Sequence, residues 1–136
     1  MITKFVLSAA AALVSSLALA ACGGESKESA EHESASPAVA LKEAGETRDA
    51  LTAALATYKN GDKKAAEDQV AEAYVQHFEE VEGALEAKDA ELKEELEHAI
   101  SGDLRDAMKQ GKPVSTVESQ VKAVIADLEK AEAALR

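Results

Sequence analysis

The sequence predicts an all-α protein, an up-down-up-down four-helix bundle over residues 37–136. Three observations carry that expectation. Beyond residue 36 the chain is dominated by Ala, Leu, Glu and Lys, with aromatics at 3% overall and no alternating β-branched run long enough for a strand. Apolar residues recur at helical spacing in four stretches, each with its own start and stop signals. The joins between stretches are only a few residues long, which forces sequential helices to lie antiparallel if all four stripes are to be buried.

Lys4 precedes an apolar run from Phe5 to Ala21, broken only by Ser8, Ser15 and Ser16, which is the plan of a secretory signal peptide over residues 1–21. The run is about 17 residues, short of the ~20 that span a bilayer, and no basic stop-transfer cluster follows. It ends in Leu19-Ala20-Ala21-Cys22, which resembles the lipobox of bacterial lipoproteins. That resemblance implies cleavage between Ala21 and Cys22 and lipid on the Cys22 thiol. Cys22 is the only cysteine, so an intramolecular disulfide and a thiolate zinc site are excluded. Two or three acyl chains would attach the protein stably to a membrane without a spanning helix. Residues 22–36 carry the lipidated cysteine and a Ser/Glu-rich stretch with no large apolar side chain, which reads as a flexible tether with His32 solvated inside it.

Helix one opens with Ser36 as N-cap and Pro37 at its first position. Its stripe is Val39, Leu41, Ala44, Leu51, Leu55 and Tyr58, and Asn60-Gly61 stops it. Asp62 caps helix two, whose stripe is Ala66, Val70, Ala73, Tyr74, Phe78, Val81 and Leu85. Asp89 caps helix three, with Leu92, Leu96, Ala99, Ile100, Leu104 and Met108 inward and Gly111 and Pro113 as stops. Ser101-Gly102-Asp103 is a place for this helix to kink or break. Ser115 with Glu118 predicts a capping box for helix four, whose stripe is Val117, Val121, Val124, Ile125, Leu128, Ala131 and Leu135. Tyr74 and Phe78 are expected as core aromatics. An Ala-rich core of this size predicts modest stability and leaves self-association to a homo-oligomer open.

Loss of residues 1–21 removes Lys4 and no acid, leaving 115 residues and a formal charge of −12 against −11 for the whole chain. That balance argues against nucleic acid and against electrostatic docking on anionic lipid, which both reward Lys and Arg. It suits a soluble helix surface, and it permits binding of a cation or a cationic partner.

The stretch Tyr58-Lys-Asn-Gly61-Asp62, then Ala65, Ala66, Val70, Ala73-Tyr74 and Phe78-Glu79-Glu80-Val81-Glu82, is followed by Leu92 to Arg105 reading L-K-E-E-L-E-H-A-I-S-G-D-L-R. Together these resemble the extracytoplasmic helical domain that precedes the membrane part of bacterial high-affinity ferric iron permeases, over roughly residues 50–135. The resemblance implies a role at the membrane surface in handling or delivering iron, with Glu79, Glu82, Glu97, Arg105, Tyr74 and Phe78 at the family's recurrent positions. This chain carries neither a seven-helix permease nor its Arg-Glu-x-x-Glu motif, so the implied role is accessory, beside a membrane permease or another envelope protein.

Independently of that resemblance, His77-Phe-Glu-Glu80 and Glu95-Leu-Glu-His98 pair His with Glu at i, i+3, a spacing that lets two side chains share one ion. On an ideal helix His77 lies about 60° off the core stripe, Glu80 about 120°, and His98 nearly opposite its own stripe. An inward dinuclear centre is therefore not expected. A surface or groove site for iron or another divalent metal is the candidate, drawn from His77, Glu79, Glu80, Glu82, Glu97 and His98. The alternative for His77 is a half-buried packing histidine. Arg105 is expected to pair with Glu82 or Glu97, as an ion pair fixing helix register or as part of a ligand set. No nucleophile elbow, Walker loop or H-E-x-x-H is present, and no enzyme is expected. The two readings are a lipid-anchored extracytoplasmic domain that binds or relays metal, and an interaction or envelope-organising lipoprotein with no specific ligand. The receiving membrane, cell or outer, is left open.

Overall fold

The computed structural model describes residues 35–136. The apolar run expected to be a signal peptide, Cys22 and His32 lie outside the described residues. Within them the chain is all-helical and bundle-like, with four helices. Helix one is Pro37–Lys59 and helix four is Val114–Leu135. Helix two runs as Lys63–Ala73, a π-helical turn Tyr74–Phe78, and Glu79–Glu86. Helix three runs as Ala90–Glu97, a π-helical stretch His98–Leu104, and Arg105–Lys109. Helix one borders helices two and four, and helix three borders the same two. Among the described residues no helix is long and apolar enough to cross a membrane.

The helix starts follow from short polar side chains that reach back to free backbone amides. Ser36 accepts from the Val39 amide, Asp62 from Ala65 and Asp89 from Leu92, the last two at 3.0 Å. Helices one and three end on Gly61 and Gly111 with φ of 96° and 66°, a left-handed geometry in which a Cβ would be strained. The expected capping box at helix four does not form. The helix begins at Val114 on the Pro113 carbonyl, so Ser115 already lies inside the first turn, and the Glu118 carboxylate is taken by Lys59 and Lys122 at 3.1 and 3.0 Å.

The spacing of the buried residues explains the rest. Helix one buries positions 40, 44, 47, 51, 54 and 58, and helix four buries 117, 121, 124, 128, 131 and 135. Both alternate steps of four and three, the spacing that keeps an α-helical stripe facing a neighbour. That phase leaves Val39, expected in the core, 44% exposed, because it sits one residue away from Ala40. It also buries Thr47, whose hydroxyl donates to the Glu43 carbonyl at 2.8 Å.

Helices two and three do not keep this spacing. Helix two buries Ala66, Val70 and Ala73, then Phe78, Val81 and Leu85, with a step of five in the middle. Helix three buries Leu92, Leu96, Ile100, Leu104 and Met108 at a constant step of four, which on a regular α-helix would drift about 40° per step. A π turn closes its hydrogen bonds five residues apart and so accommodates one extra residue. Each helix carries such a turn where its stripe would otherwise leave the core. Ser101-Gly102-Asp103 lies inside the second one, and the helix continues through it without a break.

The core is held at one end by Tyr58. The residue is 1% exposed, and its hydroxyl donates to the Lys112 carbonyl at 2.6 Å, tying the last turn of helix one to the turn before helix four. Phe78, fully buried, fills the middle beside Tyr74, whose ring lies 5.7 Å away at an interplanar angle of 38°. Phe78→Ala is expected to lower unfolding free energy by about 3–5 kcal/mol, while Val75→Ala, at an exposed position in the same π turn, leaves it within about 0.5 kcal/mol. Tyr58→Phe strands a carbonyl and is expected to cost about 1–2 kcal/mol. Urea titrations of the three variants check these values.

Candidate functional site

The π turn in helix two decides where His77 goes. Continued α-helical spacing from Ala73 would put residue 77 on the core stripe. The extra residue hands that place to Phe78 and turns His77 toward helix one. There its Nδ1 meets Glu43 Oε2 at 2.8 Å, with the imidazole 29% and the carboxylate 15% exposed. Glu43 also accepts from Lys42 Nζ at 2.8 Å. The hydrogen bond from Lys42 and then the one from His77 hold the Glu43 carboxyl below its ordinary value, against a smaller opposing effect of burial. Because Nδ1 faces a carboxylate acceptor, it carries the proton of the neutral ring, and Nε2 is left as an electron-pair donor.

Beside this pair lies a hollow of about 220 Å³ between helices one and two, lined by Ala50, Ala53, Gln69, Glu72, Ala73, Gln76 and His77. Three alanines and four polar side chains line it. Gln76 Nε2 donates to Glu72 Oε1 at 2.9 Å across one helical turn.

The other residues singled out by sequence fall in different places. Tyr74 donates its hydroxyl to Glu82 Oε1 at 2.6 Å. Burial first, then this hydrogen bond and the nearby charges of Glu82, Glu97 and Glu79, raise the Tyr74 phenol far above its ordinary value. Tyr74 is thus only partly buried, packed against the core, whereas Phe78 is wholly within it. Glu97 accepts from Lys93 Nζ at 2.9 Å. Glu80 and His98 are exposed. Among the described residues no three His, Cys, Asp or Glu side chains come close enough together to form a metal centre. His77 is therefore not joined by Glu79, Glu80, Glu82, Glu97 and His98 as one ligand set.

Arg105 pairs with neither Glu82 nor Glu97. Its Nε and Nη2 both donate to Glu67 Oε1, at 3.0 and 2.7 Å, and Glu67 is 7% exposed. The reason is axial distance. Glu97 lies eight residues away on the same helix, about 12 Å at 1.5 Å per residue. Glu82 sits near the turn joining helices two and three, while Arg105 lies most of a helix length from it. Glu67 faces Arg105 across the seam between the helices.

Sequence reasoning missed Glu43, Glu67 and Glu72. Glu43 and Glu67 flank stripe residues, Ala44 and Ala66, and that adjacency is the signal that an acid sits at a helix–helix seam. Nothing in the sequence indicates that the π turn will bring His77 to helix one. No protein-family model matches this chain, and no curated protein or solved structure matches it.

The Glu43 carboxyl, held by Lys42 first and His77 second, predicts a pH dependence. The folded state holds Glu43 below its ordinary value, so the unfolded chain binds the proton more readily. The contribution of these two contacts is complete above the ordinary carboxylate value and fades as pH falls through the depressed one. Between neutral pH and about pH 3, thermal melts of Glu43→Gln are expected to lose less stability than the parent. An equal loss in both would contradict the assignment.

Proposed function

We propose that this chain is a lipid-anchored extracytoplasmic protein, non-enzymatic, whose four-helix domain handles a metal ion at His77. The observation that carries the reading is the contact of His77 Nδ1 with Glu43 at 2.8 Å. Histidines that ligate metals give their second ring nitrogen to a carboxylate or carbonyl, which fixes the tautomer and aims the free nitrogen. A single imidazole with few acid neighbours makes an open, exchangeable site, which suits delivery better than storage. Iron is favoured within this reading by the resemblance to the extracytoplasmic domain of ferric iron permeases, and a membrane permease or other envelope protein is then the receiving partner.

The anchor rests on Leu19-Ala20-Ala21-Cys22 and the apolar run before it. The domain is read as an up-down-up-down bundle. Supporting this, Arg48 and Lys59 of helix one pair with Glu132 and Glu118 of helix four, in opposed chain order. Short connections at residues 60–62, 87–89 and 110–113 point the same way.

One observation favours a second reading, a lipoprotein that docks another protein. Residues 79–97 hold nine acids against Lys88 and Lys93. Such a surface complements a cationic face.

Two experiments test these readings. In cells fed labelled palmitate, the protein is expected to take up label and Cys22→Ser to lose it; unlabelled parent protein would remove the anchor from the account. Isothermal titration with ferrous, zinc and cupric ions is expected to give saturable binding near micromolar that is lost in His77→Ala. Flat heats for every ion would discard the metal reading and leave the docking one.

A further inference from the structure

We infer that the hollow between helices one and two is the seat of the ion, and that its donors select a divalent transition metal over calcium. This rests on the metal reading above and gives it a place and a ligand set. His77 Nε2, the Glu72 carboxylate and the Gln69 amide oxygen are the protein donors, and water completes the shell.

Four independent features converge there. First, His77, Glu72 and Gln69 line the same hollow, although Gln69 and His77 are eight residues apart and belong to different turns. Second, two of the three donors are held by neighbours: Glu43 accepts from His77 Nδ1 at 2.8 Å and Gln76 donates to Glu72 Oε1 at 2.9 Å, leaving Nε2 and Oε2 uncommitted. Third, Gln69 Oε1 is buried with no hydrogen-bond partner in the protein, an acceptor that a cation or its water would satisfy. Fourth, the wall is Ala50, Ala53 and Ala73, which end at Cβ and leave about 220 Å³. At about 30 Å³ per water, that holds an ion with several waters.

The ligand chemistry sets the class of ion. An imidazole nitrogen suits copper(II), zinc, nickel and ferrous iron, whereas calcium needs six to eight oxygens and two are available here. One imidazole, one carboxylate and one neutral amide leave open coordination positions, so the ion stays exchangeable. Glu43 and Gln76 are positioning residues. The π turn at Tyr74–Phe78 is what turns His77 into this hollow and away from the core; such turns recur at functional sites.

The test is zinc titration of the purified chain carrying Cys22→Ser, which removes the one thiol, followed by the electron paramagnetic resonance spectrum of its copper(II) form. One site is expected, with coupling to one imidazole nitrogen and no heat with calcium. Glu72→Gln and Glu43→Gln are each expected to weaken zinc about 10-fold, the usual effect of losing a ligand or its support, and His77→Ala more than either. Glu80→Gln, outside the hollow, is the control that leaves affinity unchanged. If His77→Ala abolishes binding while Glu72→Gln does nothing, the ion lies elsewhere at His77, and this inference falls while the metal reading stands. If zinc fails to bind, or binds equally well to His77→Ala, both fall. Circular dichroism melts confirm that each variant is folded.

Discussion

The extra residue in the Tyr74–Phe78 turn is the constraint on which the rest of the site depends. Helices one and four bury residues at alternating steps of four and three, so their stripes face the core without distortion. Helix two must carry Ala73 and Phe78, five residues apart, on one face. A regular α-helix would bury His77 and turn Phe78 aside. A buried, unpartnered imidazole is costly, and an aromatic ring left in water forfeits its burial energy. Widening one turn resolves both at once. Phe78 enters the core, and His77 comes to the seam with helix one, where Glu43 awaits it. A packing requirement thus produces a polar pair at a groove.

Charge is distributed to the same logic. The chain is strongly acidic, at −11 overall. Several of its cations stand at the seams: Arg48 with Glu132, Lys59 with Glu118, and Arg105 with Glu67. These pairs join helix one to helix four and helix two to helix three, so they oppose slippage of one helix along another. Exposed pairs of this kind contribute little to stability, typically below about 1 kcal/mol. The Arg105–Glu67 pair is more sheltered, and removing one partner there would leave a nearly buried charge. Exposed acids such as Glu80, Glu86, Glu91, Glu94 and Glu95 are left for solvent or for a partner.

Much of the fold could be read from sequence, because caps and stripes are local. Ser36, Asp62 and Asp89 start helices where their side chains predict, and Gly61 and Gly111 follow the helix ends. The π turns are less legible. In helix two Tyr74 bridges the step of five as two apparent steps of four, Val70 to Tyr74 to Phe78, and hides the irregularity. In helix three the constant step of four from Leu92 to Met108 was visible, and its drift was the clue. The site was harder still. Glu43 and Arg105's true partner, Glu67, lie on other helices than the residues they meet, and such pairings depend on how far along the bundle each residue falls. The exposure of His98 is legible, because its angle from Leu92 and Leu96 is set by the α-helical segment before the π stretch.

Everything at this site turns on Glu43 holding the His77 imidazole with its proton on Nδ1 and its Nε2 free. The most direct measurement is a two-bond proton–nitrogen correlation spectrum of the imidazoles at about pH 8, with exposed His98 as the internal reference. His77 is expected as the Nδ1-protonated tautomer, with Glu43→Gln weakening that preference and His98 unaffected. An Nε2-protonated His77, indistinguishable from His98, would contradict this expectation.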